Sequence, residues 1–482
     1  MNDKDKAIHG IFWSGTEKII QQILKFLFYV LLARLLEPSS FGLIGMLTIF
    51  LAVSQALIDS GLGNALIQKK DRDEKDSSTV FSFNFFMSII LYFILFFLSP
   101  IIASFYHRQL LINVFRILSF VLVINSFFLM QVIKLRIELD FKTQTQINLI
   151  STFVAGIISV FLAYYGFGVW ALVYYQLLQS LIKAVLYNMK ELPIFGFYMK
   201  SFKKLFGYGS KLLAASLINN IFYNIYNVVI GKTFNATELG YYERAKKLQN
   251  MITDNVNSGI QIVSFPFMSK FQDNQTKLEF GYRKIFSLLA FLNFPLMFFL
   301  ILSAKPLIIF LLSEKWSASI PFLQLLAIVG LLYPIHSLNM NILEVKGRTD
   351  ILLKIEIVKK IIVIIIIIFS IKYGIKGLII GQIIASLISF VINSEFSGKL
   401  INIGVGSQII ILLPYFLLSI VSYIITFFIT KFVLLPNILL IFLQFTIFFT
   451  FYIVSVKILK MDMFYEVKEN IIRLRKFIKG EK

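Results

Sequence analysis

Apolar runs of about 20 residues or more recur along the whole chain, and no other feature limits its fold so sharply. At roughly 1.5 Å per helical residue, such a run crosses a hydrocarbon core of about 30 Å. Backbone inside lipid must satisfy its own hydrogen bonds, which leaves helices or closed barrels. The runs lack the apolar/polar alternation of barrel strands, so the sequence reads as an all-α polytopic membrane protein. Composition agrees, since 58% hydrophobic and 15% charged residues are far from the balance of a soluble chain of 482 residues. Helices are predicted near 11–33, 41–66, 79–105, 111–133, 144–165 and 168–189. A second set follows near 207–232, 241–268, 280–303, 319–343, 352–373 and 375–397, and two more near 407–430 and 436–459 close a set of about 14 transmembrane helices. The opening "MNDKDKAIHGIFWSGTEKII" lacks the apolar core and cleavage site of a signal peptide, so the first helix is expected to stay in the protein.

The basic residues sort by loop. Lys4, Lys6, the Lys69-Lys70-Arg72-Lys75 loop, Lys134, Arg136, Lys142, Lys200, Lys203, Lys204, Lys270, Lys277, Arg283, Lys284, Lys346, Arg348 and the tail fall on one side. Arg34, Arg108, Lys232, Lys315 and Lys431 are scattered over the other. The positive-inside rule then places both termini in the cytoplasm, which requires an even number of spans. Much of the net charge of +21 is thus topological and implies no nucleic acid. The tail at 461–482 is basic, with Phe464, Val467, Ile471, Leu474 and Ile478 at helical spacing, as expected of a helix lying on anionic lipid.

The stretch "ALIDSGLGNALIQKK" at 56–70 sets an acid, Asp59, before two glycines, and belongs to a duplication. "SSFGLIGM" at 39–46 returns as "TELGYYER" at 237–244, and Asp59-Ser60-Gly61-Leu62 returns as Asn257-Ser258-Gly259-Ile260. "YYGFGVWAL" at 164–172 matches "IKYGIKGLI" at 371–379 more loosely. Six spans separate the copies, which predicts a parallel repeat about an axis along the membrane normal. The expected domains are a six-helix lobe over 1–190, a second six-helix lobe over 200–400, two extra helices over 401–460 and the tail. Gln261 stands where a second Gly63 would fall, no Walker motif occurs and no strand precedes the glycines. Close helix packing through small residues is therefore expected there in place of a phosphate turn.

Charges inside spans are costly and face a protein interior or water. The first helix carries Ser14, Lys18, Gln21, Gln22, Lys25 and Tyr29 at intervals of three or four. Its repeat partner carries Lys211, Asn219, Asn220, Tyr223, Tyr226 and Asn227. The second helix adds Gln55 and Asp59, and its partner adds Arg244, Lys247, Asp254, Asn255 and Ser258. These stripes predict a hydrated cavity lined by more cations than acids. Lys18, Lys25, Lys211, Arg244 and Lys247 are the candidate anion contacts, with Asp59 and Asp254 for gating or coupling. Gln21, Gln22, Asn219, Tyr223, Asn227 and Asn255 would make up its polar lining. Asp59 is expected to pair with a cation across the cleft, as Lys25 or Lys211 could provide, or else to titrate during transport, pairing being the favoured role. Some charges have a structural alternative, as where Glu356 can pair with Lys359 or Lys360.

No cofactor or metal is expected. Cys is absent, His9, His107 and His336 have no ligand spacing, and no ATP motif appears. Asp71 and Asp73 form a D-x-D, but within the alternating charge run "KKDRDEKDSS" they read as a solvated cluster.

"LLARLLEPSSFGLIGM", "LIDSGLGNALIQKKD" and "GKTFNATELGYYERAKKL" resemble the polysaccharide flippases of the multidrug/oligosaccharidyl-lipid/polysaccharide exporter superfamily. The branch is the one exporting lipopolysaccharide O-antigen, capsule or exopolysaccharide units, and the likeness covers essentially 1–400. It implies two lobes that alternate access to a central cavity and carry an undecaprenyl-diphosphate-linked oligosaccharide across the membrane. The protein would then be a transporter and no enzyme, working as a monomer among membrane lipids, with a polysaccharide polymerase as a partner. A cation-coupled multidrug exporter of the same superfamily would show a cavity richer in acids. A membrane polymerase or ligase would show a large outward loop, and the outward loops here are short.

Overall fold

The computed structural model describes residues 20–189, 191–461 and 463–465, and every described element is helical. Helix α1 covers 20–35, followed by α2 (Pro38–Asp59), α3 (Leu62–Gln68), α4 (Glu74–Phe105), α5 (Leu110–Leu118) and α6 (Phe120–Ile137). Then come α7 (Phe141–Tyr164), α8 (Val169–Asn188), α9 (Met199–Thr233), α10 (Ala236–Lys270) and α11 (Gln275–Leu312). The chain continues through α12 (Ser319–Val345), α13 (Thr349–Ser370), α14 (Gly374–Ile401), α15 (Val405–Thr430) and α16 (Asn437–Ile458). Because α2 with α3, and α5 with α6, each form one interrupted rod, the expected fourteen helical segments are all present. Among the described residues, ten of them are long and apolar enough to cross a membrane. Lys18 and the tail beyond Tyr465 lie outside the described residues.

Local chemistry sets the helix starts. Asp73 and Asp76 form a reciprocal capping box on α4. Asp140 accepts from Thr143 N at 3.1 Å, and Asn274 from Lys277 N at 3.0 Å, at the starts of α7 and α11. One predicted element needs correcting. The helix expected over 41–66 is broken, because Ser60 (φ 42°) and Gly61 (φ 68°) are both left-handed and separate α2 from α3. The break packs against α9: a Cβ built on Gly61 would come within 2.5 Å of the Gly209 carbonyl oxygen. Small residues therefore do let the helices approach here, as expected. At the repeat position Gly259, α10 runs unbroken and nothing lies within 4 Å.

The chain divides into two compact units, Met1–Glu243 and Arg244–Lys482. The division falls one helix beyond the repeat boundary at 190–200, because α9 packs on α2, α3 and α4. In the first unit α7 and α6 pack on α8, and α4 packs on α6. Phe28 of α1 presses on Gly156 of α7, and Leu62, Leu66, Phe81, Ile133 and Leu205 close a core among α3, α4, α6 and α9. The repeated motif meets itself in this unit. A Cβ on Gly42 would fall 1.7 Å from the Ala236 carbonyl oxygen, and one on Gly240 1.9 Å from that of Pro38. Pro38 and Ala236 are the first residues of α2 and α10, so the two copies make reciprocal contacts.

In the second unit α12 packs on α11 and α14, and α15 and α16 pack on α11 and on each other. The last two helices thus share α11 as their support. A buried polar network ties four of these helices. Asn339 of α12 accepts from Tyr282 of α11 and, at 2.7 Å, from Ser397 Oγ of α14. Asn339 Nδ2 donates to Ser394 Oγ at 3.2 Å and to Gln408 Oε1 of α15 at 3.1 Å. Glu356 pairs with both Lys359 and Lys360, as its spacing predicts.

Candidate functional site

The polar stripes lie on helix faces that neighbouring helices leave uncovered. On α9, Lys211, Asn219 and Tyr223 are exposed, and steps of four or eight residues keep them on one face. Asn227, one turn on, is buried, and its Oδ1 has no hydrogen-bond partner among the described residues. On α1, Lys25 is exposed and Gln21 and Gln22 are half-buried. On α10, Lys247, Asp254 and Asn255 are exposed, Arg244 is half-buried, and the field of Lys247 reaches Asp254. Asn255 Nδ2 donates to Met251 O at 2.7 Å, so that side chain is held against its own helix.

Asp59 sits at the last turn of α2, next to the helix break. Its Oδ1 accepts from Gln55 Nε2 at 3.1 Å, and Gln55 Oε1 in turn accepts from Asn125 Nδ2 of α6 at 3.4 Å. Among the described residues Asp59 forms no ion pair, and the cation whose field reaches it is Arg136 of α6. The expected partners, Lys25 or Lys211, are thus replaced by a donor one turn back on the same helix. Asn125 was not anticipated, because it is a single polar residue in an apolar stretch, and Arg136 was read only as one of the basic residues of its loop. A discontinuous helix with a carboxylate at its break is a recurrent way of placing polar backbone and charge at membrane depth.

The D-x-D of the loop before α4 is occupied structurally. Asp73 caps α4, and Asp71 pairs with Lys204 of α9 at 3.4 Å. A backbone N–H and Lys204 hold the Asp71 carboxyl below the usual carboxylate range. Lys69 pairs with Asp76. No group of three His, Asp or Glu able to hold a metal occurs among the described residues.

The chain after α8 is strapped to the first unit. Gly196 N donates to Ser82 Oγ at 2.9 Å, and Tyr198 N to Thr79 Oγ1 at 3.1 Å, both on α4. Phe195 packs edge-on against Phe81 and Phe85. Lys134 and Gln131 of α6 bind Glu191, through its carboxylate at 2.9 Å and its carbonyl at 2.7 Å.

Comparison with known proteins gives the family and the fold. A family model described as "Polysaccharide biosynthesis protein" matches residues 31–321, more than half of the chain. The chain belongs to this family. It is 27% identical over 353 residues to the teichuronic acid biosynthesis protein TuaB of Bacillus subtilis (strain 168), covering 72% of each chain. It is 26% identical over 368 residues to the lipopolysaccharide biosynthesis protein WzxC of Escherichia coli (strain K12), covering 76% of this chain and 75% of that one. In fold it is similar to the lipid II flippase MurJ in an inward closed conformation. That likeness has a TM-score of 0.71 at 16% identity and covers 93% of this chain and 99% of the other. A multi-pass membrane protein of a polysaccharide biosynthesis family, on a transporter fold, is what these findings establish.

Proposed function

We propose that this protein is a flippase that moves an undecaprenyl-diphosphate-linked oligosaccharide across the bacterial cytoplasmic membrane by alternating access, for surface polysaccharide assembly. The observation that carries the reading is the set of exposed cations within each unit, Lys25 on α1 and Lys211 on α9 in the first and Lys247 on α10 in the second, in a family devoted to polysaccharide biosynthesis. A lipid-linked diphosphate is an anion on a bulky polar head, and it needs water and cations along its path. Lys25, Lys211 and Lys247 supply point charges for the diphosphate, and Lys18 and Arg244 extend the cationic set. Gln21, Gln22, Asn219, Tyr223 and Asn255 supply hydrogen bonds to sugar. Asp59, at the helix break, and Asp254 bias the conformational cycle.

Transport without catalysis is supported by the structural use of both acids of the D-x-D. The excess of cations over acids on the exposed faces favours an anionic cargo over a cationic drug. Both termini are assigned to the cytoplasm by the loop charges. Cells lacking the protein should accumulate the oligosaccharide-loaded carrier and lose surface polymer, with an intact chain restoring it. Normal surface polymer in such cells would remove the proposal.

A further inference from the structure

A second feature of the first unit is not used by the cationic faces described above. Helices α2, α4 and α9 leave a groove of about 540 Å³ between them, walled by Phe50, Val53, Leu91, Leu95, Phe105 and Val228. Its walls are almost wholly apolar, as a lipid-facing surface requires. Along α4 the lining runs from Leu91 to Phe105, which at 1.5 Å per residue is about 21 Å. Half of a hydrocarbon core is about 15 Å thick. The groove is therefore longer than one leaflet and shorter than the full core of about 30 Å, room for one extended acyl chain but not for a carrier chain that reaches through both leaflets.

One end of the groove is cationic. Val228 lines the wall, and Lys232 lies one helical turn further along the same face of α9. The Lys232 ammonium donates to the Phe105 carbonyl oxygen at 2.6 Å and stands 4.7 Å from the centroid of the Phe105 ring. His107 Nε2 accepts from the same ammonium at 3.1 Å. Arg108 follows, exposed, and neither Lys232, His107 nor Arg108 forms an ion pair among the described residues. The local backbone is unusual as well. His107 N donates to Ser104 O at 3.1 Å and Arg108 N to Ala103 O at 2.9 Å, a helix ending that normally sets glycine in the left-handed position. Here that position is His107, at φ 54°, so an imidazole has been retained beside the ammonium at a conformational cost.

We propose that this groove binds one acyl chain of an anionic glycerophospholipid, whose phosphate is held by Lys232 and Arg108. Apolar walls about 21 Å long take the chain, and Lys232, held against Phe105 at the end of the groove, takes the phosphate with exposed Arg108, which follows in the same helix ending. Charge complementarity selects the anionic headgroup, since a zwitterionic one would bring a competing ammonium to the same cations. The site is independent of the transported substrate, and its failure would leave the flippase reading untouched.

Native mass spectrometry of the purified full chain, released from nanodiscs of phosphatidylglycerol or of phosphatidylcholine with the same chains, tests the assignment. One phosphatidylglycerol should be retained at least about tenfold more strongly than phosphatidylcholine, as expected for a charge-assisted contact. Lys232→Ala with Arg108→Ala should bring the two lipids to parity, and Lys232→Arg should keep the preference. Ile94→Trp, which fills the groove from an exposed wall position, should lose the bound lipid with thermal unfolding unchanged. Equal retention of both lipids by the native chain would overturn the proposal, as would undiminished phosphatidylglycerol binding in the folded Ile94→Trp protein. Stronger retention of a polyprenyl phosphate than of phosphatidylglycerol, abolished by Ile94→Trp, would reassign the groove to the carrier and equally overturn it.

Discussion

Gly61 and Gly209 meet backbone to backbone: a Cβ on Gly61 would lie 2.5 Å from the Gly209 carbonyl oxygen, and one on Gly209 would lie 2.6 Å from that of Ser60. Gly61 also holds φ 68°, a conformation that costs a residue with a Cβ about 1–2 kcal/mol before any clash. Gly61→Ala should therefore destabilise the protein by at least about 2 kcal/mol. Gly259→Ala, in open space within an unbroken helix, should be neutral or stabilising by roughly 0.5–1 kcal/mol. Unfolding midpoints of the two variants in detergent check this, and equal midpoints would mean that the break in α2 does not depend on α9.

The Gln55–Asp59 hydrogen bond gives a second expectation. Gln55→Leu leaves the carboxylate without its side-chain donor and should cost about 1–3 kcal/mol. Replacing both partners, as Gln55→Leu with Asp59→Leu, should recover part of that loss, because neither polar group is then stranded. A double-mutant cycle on unfolding free energies reads the coupling directly. Strict additivity would show that the two side chains do not support one another.

Asn339 links α11, α12, α14 and α15 through side-chain contacts that a single apolar substitution would remove together. Asn339→Leu should lower stability by about 2–5 kcal/mol, since it takes the amide acceptor from buried Tyr282 and Ser397, while Ser394 and Gln408 keep their bond to each other. Asn219→Ala, on an exposed face, should change stability by no more than about 0.5 kcal/mol. Comparable losses in both would contradict the assignment of Asn339 as the network's centre.

The fourteen helical segments were legible because hydropathy over a membrane-length window is a local property of the chain. The break at Ser60–Gly61 was not, because it packs against Gly209, a residue far away in sequence. The exposed face of Lys211, Asn219 and Tyr223 could be read from its spacing within one helix. Asn125 could not, since a lone polar residue on α6 carries no period, and Arg136 was legible as a loop charge but not as a neighbour of Asp59, because only folding brings the two to Gln55 and Asp59. The Asn339 network was hidden for the same reason, being assembled from single polar residues of four helices. The duplicated glycines marked the repeat, but their reciprocal contact, Gly42 on Ala236 and Gly240 on Pro38, appears only in three dimensions.

The central claim, that the chain moves a lipid-linked oligosaccharide and uses Lys25 and Lys211 on its diphosphate, is tested most directly in proteoliposomes. A fluorescent undecaprenyl-diphosphate-linked oligosaccharide, confined to one leaflet, would be followed by its accessibility at the other. The native protein should accelerate its transfer well above protein-free vesicles, and Lys25→Ala with Lys211→Ala should reduce that rate by about tenfold or more while the protein stays folded. Transfer by the native protein at the protein-free rate, or undiminished transfer by the double variant, would contradict the account.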